Sequence, residues 1–449
     1  MMRASAYPEA RSGHEFPAAN PLLRTIQRHK SGEPVGIYSV CSAHPTVVRA
    51  AIEQADADGT AVLIEATSNQ VDQFGGYTGM RPGDFRDHVL AIADQCEFPR
   101  DGVVLGGDHL GPNRWQSRPA EEAMAHAEVL VAAYVEAGFA KIHLDCSMPC
   151  ADDPPRLSDE VVAHRSARLL RVAEDSARRA GAGGPVYVIG TEVPVPGGAH
   201  ETLSSLTPTS ADHARRTLGA HRSAFAALGL DRVWPRIIAL VVQPGVEFDH
   251  LSVFDYDHGA TVDLRRVLDD EENLVFEAHS TDYQRPAQLA ELVEGHWAIL
   301  KVGPGLTFAM REALFALAAI EAEIVAPSAR SELPDVIERR MLAEPAHWES
   351  HYRVDGEPQA TRTARRYSYS DRLRYYWPDP EVEAARVALL TNLRRTGIPM
   401  PLLSQHLPVQ YQRVRAGRLD ADPHGLVIDR VRDALRPYAR ACLNNEEAR

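Results

Sequence analysis

The sequence contains no apolar run that approaches the roughly 20 residues needed to cross a membrane. Residues 1–20 lack the apolar core of a signal peptide, so we expect a cytoplasmic protein with no membrane partner. Cysteine is scarce, at five residues in 449, and Cys146 and Cys150 have no second pair with which to form a zinc finger. The net charge of −14 argues against nucleic acid as a partner.

Loops that bind nucleotides are also missing from the sequence. No GxxxxGK[ST] motif is present, so ATP is not expected as a cofactor. The turn after the first predicted strand, "SVCSAHP", is not a dinucleotide fingerprint, and the glycine cluster "GAGG" (181–184) precedes a strand instead of following one. We therefore expect no NAD cofactor either.

The sequence does contain short apolar runs rich in valine and isoleucine, with helical patterns between them. The eight runs are residues 35–41, 61–67, 103–109, 141–147, 186–192, 237–243, 274–280 and 298–304. Continuous apolar runs of this length are typical of buried parallel strands, and eight strand–helix units in order predict a (β/α)8 TIM barrel of the α/β class. A doubly wound open sheet is the alternative, but it would need a nucleotide fingerprint after the first strand.

The pattern changes near residue 326, where strand signals stop and helical patterns broken by proline begin. We predict a disordered segment over 1–20, the barrel over 21–325 and a helical extension over 326–449 that packs on the barrel. Within the extension, "YSYSDRLRYYWPDP" (367–380) is interpreted as a hydrophobic seam, with a cover over the barrel mouth as the alternative.

Nearly every predicted strand ends in a polar side chain. The residues at these ends are Cys41, Glu65, Asp108 with His109, Asp145, Glu192, Gln243, His279 and Lys301. In a (β/α)8 barrel the carboxyl ends of all the strands meet at one mouth, which is where the active sites of such barrels lie. The sequence therefore predicts a catalytic site at this mouth.

Three of these residues form a candidate metal site. His109, His279 and Glu192 offer nitrogen and oxygen ligands for a divalent cation, with room left for substrate. The simpler alternative is that Asp108 caps the following helix and that His109 is a buried imidazole bonded to a backbone carbonyl. Further candidates for ligands or hydrogen bonds are Glu65, Asp145, Gln243 and His250; His143 is left open, because the sequence does not say whether it points into the barrel.

The loop after the eighth run, "KVGPGLT", is a candidate phosphate site. Gly303 and Gly305 precede a helical pattern that starts near Thr307, so backbone N–H groups there can approach an anion, with Ser280 and Thr281 beside them. A tight turn that needs glycine is the alternative. Lys301 is interpreted as a charge partner of Glu65 or of a substrate oxygen in preference to a Schiff-base lysine. The loop at 192–202 is predicted to shape the mouth or to form a lid.

Several long blocks resemble a known family in both sequence and order. The blocks include "LIEATSNQVDQFGGYTGM", "LGGDHLGPNRWQ", "KIHLDCSMPCADDP", "IGTEVPVPGG", "EAHSTDYQ", "ILKVGPGLTFA" and "YSYSDRLRYYW". They resemble the signature blocks of the tagatose-bisphosphate aldolase Z-subunit family (GatZ/KbaZ-like). Members of that family are described as non-catalytic subunits that stabilise the Y subunit of a class II aldolase, or as epimerases acting at C4 of ketohexoses.

More distantly, the chain is similar to the class II aldolases. That similarity implies that Asp108 is a catalytic acid/base, that His109 and His279 are zinc ligands, and that "KVGPGLT" corresponds to the aldolase phosphate loop. The strand-six histidine of those aldolases is replaced here by Gln243, so the resemblance implies that the third ligand is Glu192 or Gln243.

Taken together, the residues and the resemblance predict a metal-dependent 4-epimerase that interconverts D-tagatose 6-phosphate and D-fructose 6-phosphate by retro-aldol and aldol steps. Asp108 would move the O4 proton, with Asp145 or Glu65 as second acid/base. Zinc is the expected metal, and manganese, nickel or magnesium are alternatives. The competing hypothesis is a non-catalytic partner of an aldolase, and a sugar-phosphate kinase is disfavoured because no ATP loop is present. A homo-oligomer is expected.

Overall fold

The computed structural model describes residues 20–181, 183–190, 206–352 and 357–443. Eight parallel strands close into a barrel in sequence order, and two further strands form a small antiparallel hairpin. The strands are β1 (Ile37–Val40), β2 (Val62–Thr67), β3 (Val103–Leu110), β4 (Lys141–Leu144), β5 (Val186–Gly190), β6 (Ile237–Val241), β7 (Glu247–Phe248), β8 (Val253–Phe254), β9 (Val275–Ala278) and β10 (Trp297–Val302). β7 and β8 form the hairpin. Each predicted apolar run overlaps one barrel strand, so the predicted (β/α)8 barrel is confirmed.

Helices surround the barrel and continue beyond it, as predicted for the C-terminal part of the chain. They are α1 (Pro21–Lys30), α2 (Pro45–Asp58), α3 (Pro82–Gln95), α4 (Ala120–Glu136), α5 (Asp159–Arg179), α6 (Ala211–Ala227), α7 (Val262–Arg265), α8 (Pro286–Glu294), α9 (Pro304–Ile324), α10 (Leu333–Ala343), α11 (Pro358–Tyr367), α12 (Pro380–Thr396), α13 (Met400–His406), α14 (Pro408–Arg415) and α15 (Pro423–Leu443). Among the described residues, no helix combines the length and the apolar character that crossing a membrane requires.

The amino ends of the barrel strands are closed by α1. The side chain of Asn20 accepts a hydrogen bond from the backbone N–H of Leu22 at 3.0 Å, and Pro21 occupies the first turn, so the local sequence favours a helix start here. Leu22 and Ile26 are buried against a cluster of inward-facing strand residues that includes Ile37. Apolar side chains therefore fill this end of the barrel, which leaves the other end for polar groups.

The C-terminal helices pack on one side of the barrel through α15, which contacts α2, α8 and α9. The hydroxyl of Tyr438 on α15 donates to the backbone carbonyl of Thr281, just after β9, at 2.6 Å. In the aromatic stretch, Leu373 and Trp377 belong to the hydrophobic core, as the seam interpretation expects. Arg374, by contrast, lines a cavity at the barrel mouth. The segment is thus partly seam and partly cavity wall.

Candidate active site

A cavity of about 170 Å³ lies at the carboxyl ends of the barrel strands. Its wall includes predicted site residues from four strand ends and two residues from the C-terminal extension, namely Asp108, His109, Asp145, His279, Ser280, Lys301, Gly303, Arg374 and Tyr375. The polar ends of these four strands therefore meet at one place. The extension contributes to the same cavity, and this contribution was only the alternative interpretation of its aromatic stretch.

A local irregularity in β3 allows two consecutive residues to face the cavity. Side chains normally alternate between the two faces of a strand, so Asp108 and His109 would point in opposite directions in a regular one. The pairing of β3 with β4 shifts register between Gly107 and Leu110, and His109 has a φ of +50°. A bulge with a left-handed residue is a costly conformation that is found often at functional sites. Here it lets the acid and the imidazole serve the same cavity.

Three imidazoles surround this position. The potential ligand atoms of Asp108, His109, His143 and His279 all lie within 4.8 Å of one another. The ring centroid of His109 is 4.8 Å from that of His279 and 5.0 Å from that of His143. The cluster contains the two histidines that the sequence singled out, and it adds His143, the one that the sequence left open.

Each imidazole is held by a protein acceptor at one ring nitrogen. His109 Nδ1 lies 2.7 Å from a carboxylate oxygen of Asp145, His143 Nε2 lies 2.9 Å from the carbonyl oxygen of Gly190, and His279 Nε2 lies 3.0 Å from a carboxylate oxygen of Glu277. Carbonyl and ionised carboxylate oxygens only accept, so these nitrogens carry the protons. In the neutral rings, the lone pairs are then on His109 Nε2, His143 Nδ1 and His279 Nδ1. This pattern of supporting acceptors is typical of histidines that bind metals.

The contact between His143 and Asp108 brings two potential metal ligands together. His143 Nδ1 is 3.0 Å from Asp108 Oδ1, and both atoms carry lone pairs if the ring is neutral. A cation bound by both atoms would favour this contact. Imidazole nitrogen and carboxylate oxygen are both common ligands of divalent metals, and two atoms 3.0 Å apart are close enough to bind the same ion. The donor set and its spacing therefore fit a divalent metal.

The protonation states of the other two histidines differ because their surroundings differ. Burial lowers the pKa of His279 to about 3, so its ring is neutral at pH 7 and can offer a lone pair. Burial also acts to lower the pKa of His109, but the charges of Asp108 and Asp145 outweigh it and raise that pKa. Binding of a cation at His109 would consequently release a proton.

Below the cavity, the barrel interior contains a buried network of charges. The ammonium group of Lys141 lies 2.5 Å from Glu65 and 2.7 Å from Glu277. Lys301 lies 2.7 Å from Asp108 and also pairs with Glu65. Burial alone would raise the pKa of Asp108, but His109 and Lys301 hold it well below its usual range. Asp108 is therefore an ionised carboxylate, and Lys301 is a charge partner, as the sequence analysis expected of it.

Comparison with known proteins places the chain in a family. The model of the D-tagatose-1,6-bisphosphate aldolase subunit GatZ/KbaZ-like family matches residues 22–443. The chain belongs to this family. It is 48% identical to the crystal structure of a probable tagatose 6 phosphate kinase from Sinorhizobium meliloti 1021, with a TM-score of 0.83 over 91% of this chain and 100% of that one.

Two aldolase structures are more distantly similar to this GatZ/KbaZ-like chain. The YdjI aldolase from Escherichia coli K12 is 11% identical, with a TM-score of 0.40 over 84% of this chain and 97% of its own. The fructose-bisphosphate aldolase from Campylobacter jejuni is 13% identical, with a TM-score of 0.44 over 83% of this chain and 91% of its own.

Of the two expected third ligands of the GatZ/KbaZ-like chain, Gln243 is not among the residues of the imidazole cluster. The side-chain oxygen of Gln243 accepts from the backbone N–H groups of Gly245 and Val246 at 2.8 and 2.9 Å, and Gln243 is not part of the cavity wall. Glu192, like the whole loop at 192–202, lies outside the described residues. Within the described part, His143 is the third imidazole.

The remaining predicted residues of the GatZ/KbaZ-like chain lie in three places. Ser280, Lys301 and Gly303 line the cavity together with Asp145. Glu65, Thr281 and Gly305 lie behind this wall, where the Thr281 hydroxyl donates to the carbonyl of Lys301 at 2.7 Å. Thr307 lines a neighbouring cavity, and its hydroxyl donates to Asp371 at 2.5 Å. Asp371 and Arg374, from the C-terminal extension, were not among the predicted site residues, because only the fold brings them near the mouth.

A buried carboxyl group beside the cavity makes the stability of this GatZ/KbaZ-like protein dependent on pH. Glu247 on β7 is fully buried, and burial raises its pKa from 4.5 to about 8. The native state therefore binds a proton that the unfolded state has released, so Glu247 makes the free energy of unfolding fall as the pH rises from about 4.5 to about 8. Replacing Glu247 by glutamine is expected to raise the stability at pH 8 and to flatten this slope. Urea denaturation at pH 5 and pH 8 measures both effects, and an unchanged slope would contradict the assignment.

Proposed function

We propose that this GatZ/KbaZ-like protein is a metal-dependent 4-epimerase of ketohexoses or their phosphates, with D-tagatose 6-phosphate and D-fructose 6-phosphate as the pair of substrates. The observation that supports the proposal most strongly is the arrangement of His109, His143 and His279. Their potential ligand atoms and a carboxylate oxygen of Asp108 all lie within 4.8 Å of one another, and Asp108, His109 and His279 line the cavity.

The donor set favours a metal that accepts imidazole ligands. Imidazole nitrogens suit zinc and nickel better than magnesium, which prefers oxygen ligands. We propose zinc as the resident ion, held by the three histidines, with manganese or nickel as substitutes. When bound, such an ion would polarise the C2 carbonyl of a ketose and stabilise negative charge on its oxygen.

The chemistry of inversion at C4 explains why an aldolase-like site suits an epimerase. In a 2-ketose, the hydrogen on C4 is not α to the carbonyl, so simple deprotonation cannot invert that carbon. Cleavage of the C3–C4 bond leaves an enediolate and an aldehyde. Rotation of the aldehyde and formation of the same bond on its other face then inverts C4. This route consumes no redox cofactor.

The residues of the chain divide the proton transfers among them. Asp108 accepts the proton of the O4 hydroxyl as the C3–C4 bond breaks, and it returns the proton when the bond forms again. Lys301, 2.7 Å from Asp108, keeps this carboxylate ionised before the reaction. Asp145 fixes the orientation of His109 and is the second acid/base at the cavity wall. Glu65 pairs with Lys301 from behind the wall. It would therefore affect the proton transfer at Asp108 only indirectly, through the charge of that lysine.

The test is an assay with the protein free of any aldolase. Purified protein loaded with Zn²⁺, Mn²⁺ or Ni²⁺ is incubated with D-tagatose 6-phosphate and, separately, with free D-tagatose, and the fructose forms are measured. We expect conversion with at least one metal. Replacing Asp108 by asparagine preserves the size of the side chain but removes the carboxylate that accepts the O4 proton, so it should lower turnover by roughly 100-fold or more.

The family description supports a second candidate, a subunit that associates with an aldolase and has no activity of its own. If no metal gives turnover, and the protein instead increases the stability or activity of a class II tagatose-bisphosphate aldolase, the epimerase proposal is wrong and this second function is correct. Asp108→Asn should then leave the stabilising effect unchanged, because the carboxylate faces the cavity wall and not the outer surface.

A further inference from the structure

The glycine loop after β10 binds a carboxylate of the protein itself, that of Asp282. The backbone N–H groups of Gly303 and Gly305 donate to the same carboxylate oxygen of Asp282, at 3.0 and 2.7 Å. Asp282 is buried, at 2% exposure. The amides that the sequence analysis expected to bind phosphate therefore have an acceptor, and a phosphate at the same place would meet a carboxylate.

Arg374 is a cationic group in the cavity wall, and its hydrogen bonds to described residues all go to neutral acceptors. The guanidinium of Arg374 donates to the backbone carbonyls of Ser370 and Asp371 and to the hydroxyl of Tyr375, the last at 3.1 Å. Within the described parts of the chain, no carboxylate oxygen lies within 4 Å of this guanidinium. The carboxylate of Asp371 is directed elsewhere, to Thr307 and Arg311. Arg374 is thus a cation at the cavity wall that pairs with neutral acceptors.

Lys301 provides the contrast. It is the other permanently charged cation in the wall, and it pairs with Glu65 and Asp108 while Glu277 lies 3.9 Å away. Its charge is already compensated by the protein. A substrate anion entering this cavity would therefore meet, at Arg374, a cation with no carboxylate among the described residues within 4 Å, whereas Lys301 lies within 4 Å of three carboxylates.

The surroundings of Arg374 strengthen the positive potential. The guanidinium carbons of Arg372 and Arg374 lie 4.7 and 4.6 Å from the ring centroid of Tyr375. Burial alone would raise the pKa of Tyr375, but these two arginines outweigh it and lower that pKa. Arg374 also lines an adjacent cavity of about 260 Å³ between the barrel and the extension, so space is available on two sides of it.

We propose that Arg374, supported by the hydroxyl of Tyr375, binds the phosphate group of the substrate, and that the glycine loop does not. The inference rests on the proposed epimerase function and specifies its substrate as a ketose with one phosphate. The phosphorylated end lies against the C-terminal extension. The carboxylate of Asp282 occupies the amides of the glycine loop and would repel a phosphate there.

The experiment compares four variants of the metal-loaded protein. Arg374→Met removes the charge, and Arg374→Lys keeps it but loses the forked donor geometry. Arg114→Met is the matched control, because Arg114 lines no part of the cavity and lies 3.5 Å from its own carboxylate partner, Asp72. Asp282→Asn removes the negative charge from the side chain that accepts hydrogen bonds from the glycine loop. Turnover of D-tagatose 6-phosphate and of free D-tagatose is measured for each, together with calorimetric binding of D-tagatose 6-phosphate and of inorganic phosphate.

Loss of a charged hydrogen bond to phosphate corresponds to roughly a 10- to 100-fold change. We expect Arg374→Met to raise the KM and the Kd for the phosphorylated ketose by this factor. The Kd for inorganic phosphate should rise by a similar factor. Turnover of the free ketose by Arg374→Met should stay within about twofold of the wild type. The affinity of Arg374→Lys for the phosphorylated ketose should lie between those of the wild type and Arg374→Met. Arg114→Met should match the wild type in all measurements. Equal losses for both ketoses, or unchanged binding of both phosphates, would overturn the assignment.

Two other outcomes separate this inference from its alternatives. If Asp282→Asn changes the affinity for phosphate and Arg374→Met does not, the glycine loop is the phosphate site and the inference is wrong. If no variant turns over any ketose, the proposed function fails, but the binding measurements still decide whether Arg374 holds phosphate.

Discussion

Replacing His279 by alanine is expected to remove both the bound metal and the turnover. The variant deletes one of three converging imidazoles and leaves a two-histidine site beside Asp108. Burial keeps the ring of His279 neutral, so in the wild type it offers its lone pair without competition from protons at pH 7. Metal content per chain, measured after dialysis, should fall from about one to near zero, and epimerisation should fall with it.

A matched control distinguishes this effect from general damage. His164 lies on the exposed face of α5 and bonds to the carbonyl of Glu160 in its own helix, so His164→Ala should keep full metal content and turnover. Glu277→Gln, which weakens the acceptor behind His279, should lower metal affinity by roughly 10- to 100-fold. A His279→Ala protein that keeps its metal and its turnover would remove this residue from the site.

The second large effect concerns the charged network beneath the cavity. Lys141 is completely buried and pairs with Glu65 at 2.5 Å and Glu277 at 2.7 Å. Lys141→Met fills similar space but leaves two carboxylates buried without that partner. Removing one member of a buried pair typically costs about 3–5 kcal/mol. We expect the free energy of unfolding, measured by urea denaturation at pH 7, to fall by this amount.

An exposed ion pair supplies the comparison for Lys141. Arg28 pairs with Glu33 at 2.6 Å on the surface, where about half of each side chain is exposed. Arg28→Met should therefore lower stability by less than about 1 kcal/mol. If Lys141→Met costs no more than Arg28→Met, the buried network does not stabilise the barrel. Adding Glu277→Gln to Lys141→Met should recover part of the loss, because one of the two buried carboxylates that lost the lysine is then neutral.

The barrel could be predicted from the sequence because its determinants are local. Buried parallel strands need unbroken apolar runs, and β6, for example, is recognisable as "IIALV" from the sequence alone. The convergence of Asp108, His109, Asp145 and His279 followed from the barrel topology, since strand ends share one mouth. The two-residue hairpin strands β7 and β8 were not predicted, because two residues are too few to show a period.

The identity of the third imidazole needed coordinates. His143 and Asp145 are two residues apart, so a regular strand puts both on one face, and this spacing was the available signal for His143. Only the structure shows that His143 belongs to the cluster, because the irregular β3 strand places Asp108 3.0 Å from the ring of His143. The functional surroundings of Arg374 were beyond sequence reasoning for a different reason: its contact with the mouth depends on how a distant segment packs, and no local pattern encodes that.

The most direct test of the proposed mechanism is the conversion of D-tagatose 6-phosphate in D₂O, followed by NMR, with the metal-loaded protein and no aldolase present. A retro-aldol route keeps the hydrogen on C4, because that hydrogen stays on the aldehyde carbon while the C3–C4 bond is broken. We therefore predict D-fructose 6-phosphate whose C4 carries hydrogen and not deuterium. Deuterium at C4, or no conversion with any of the metals, would contradict the account.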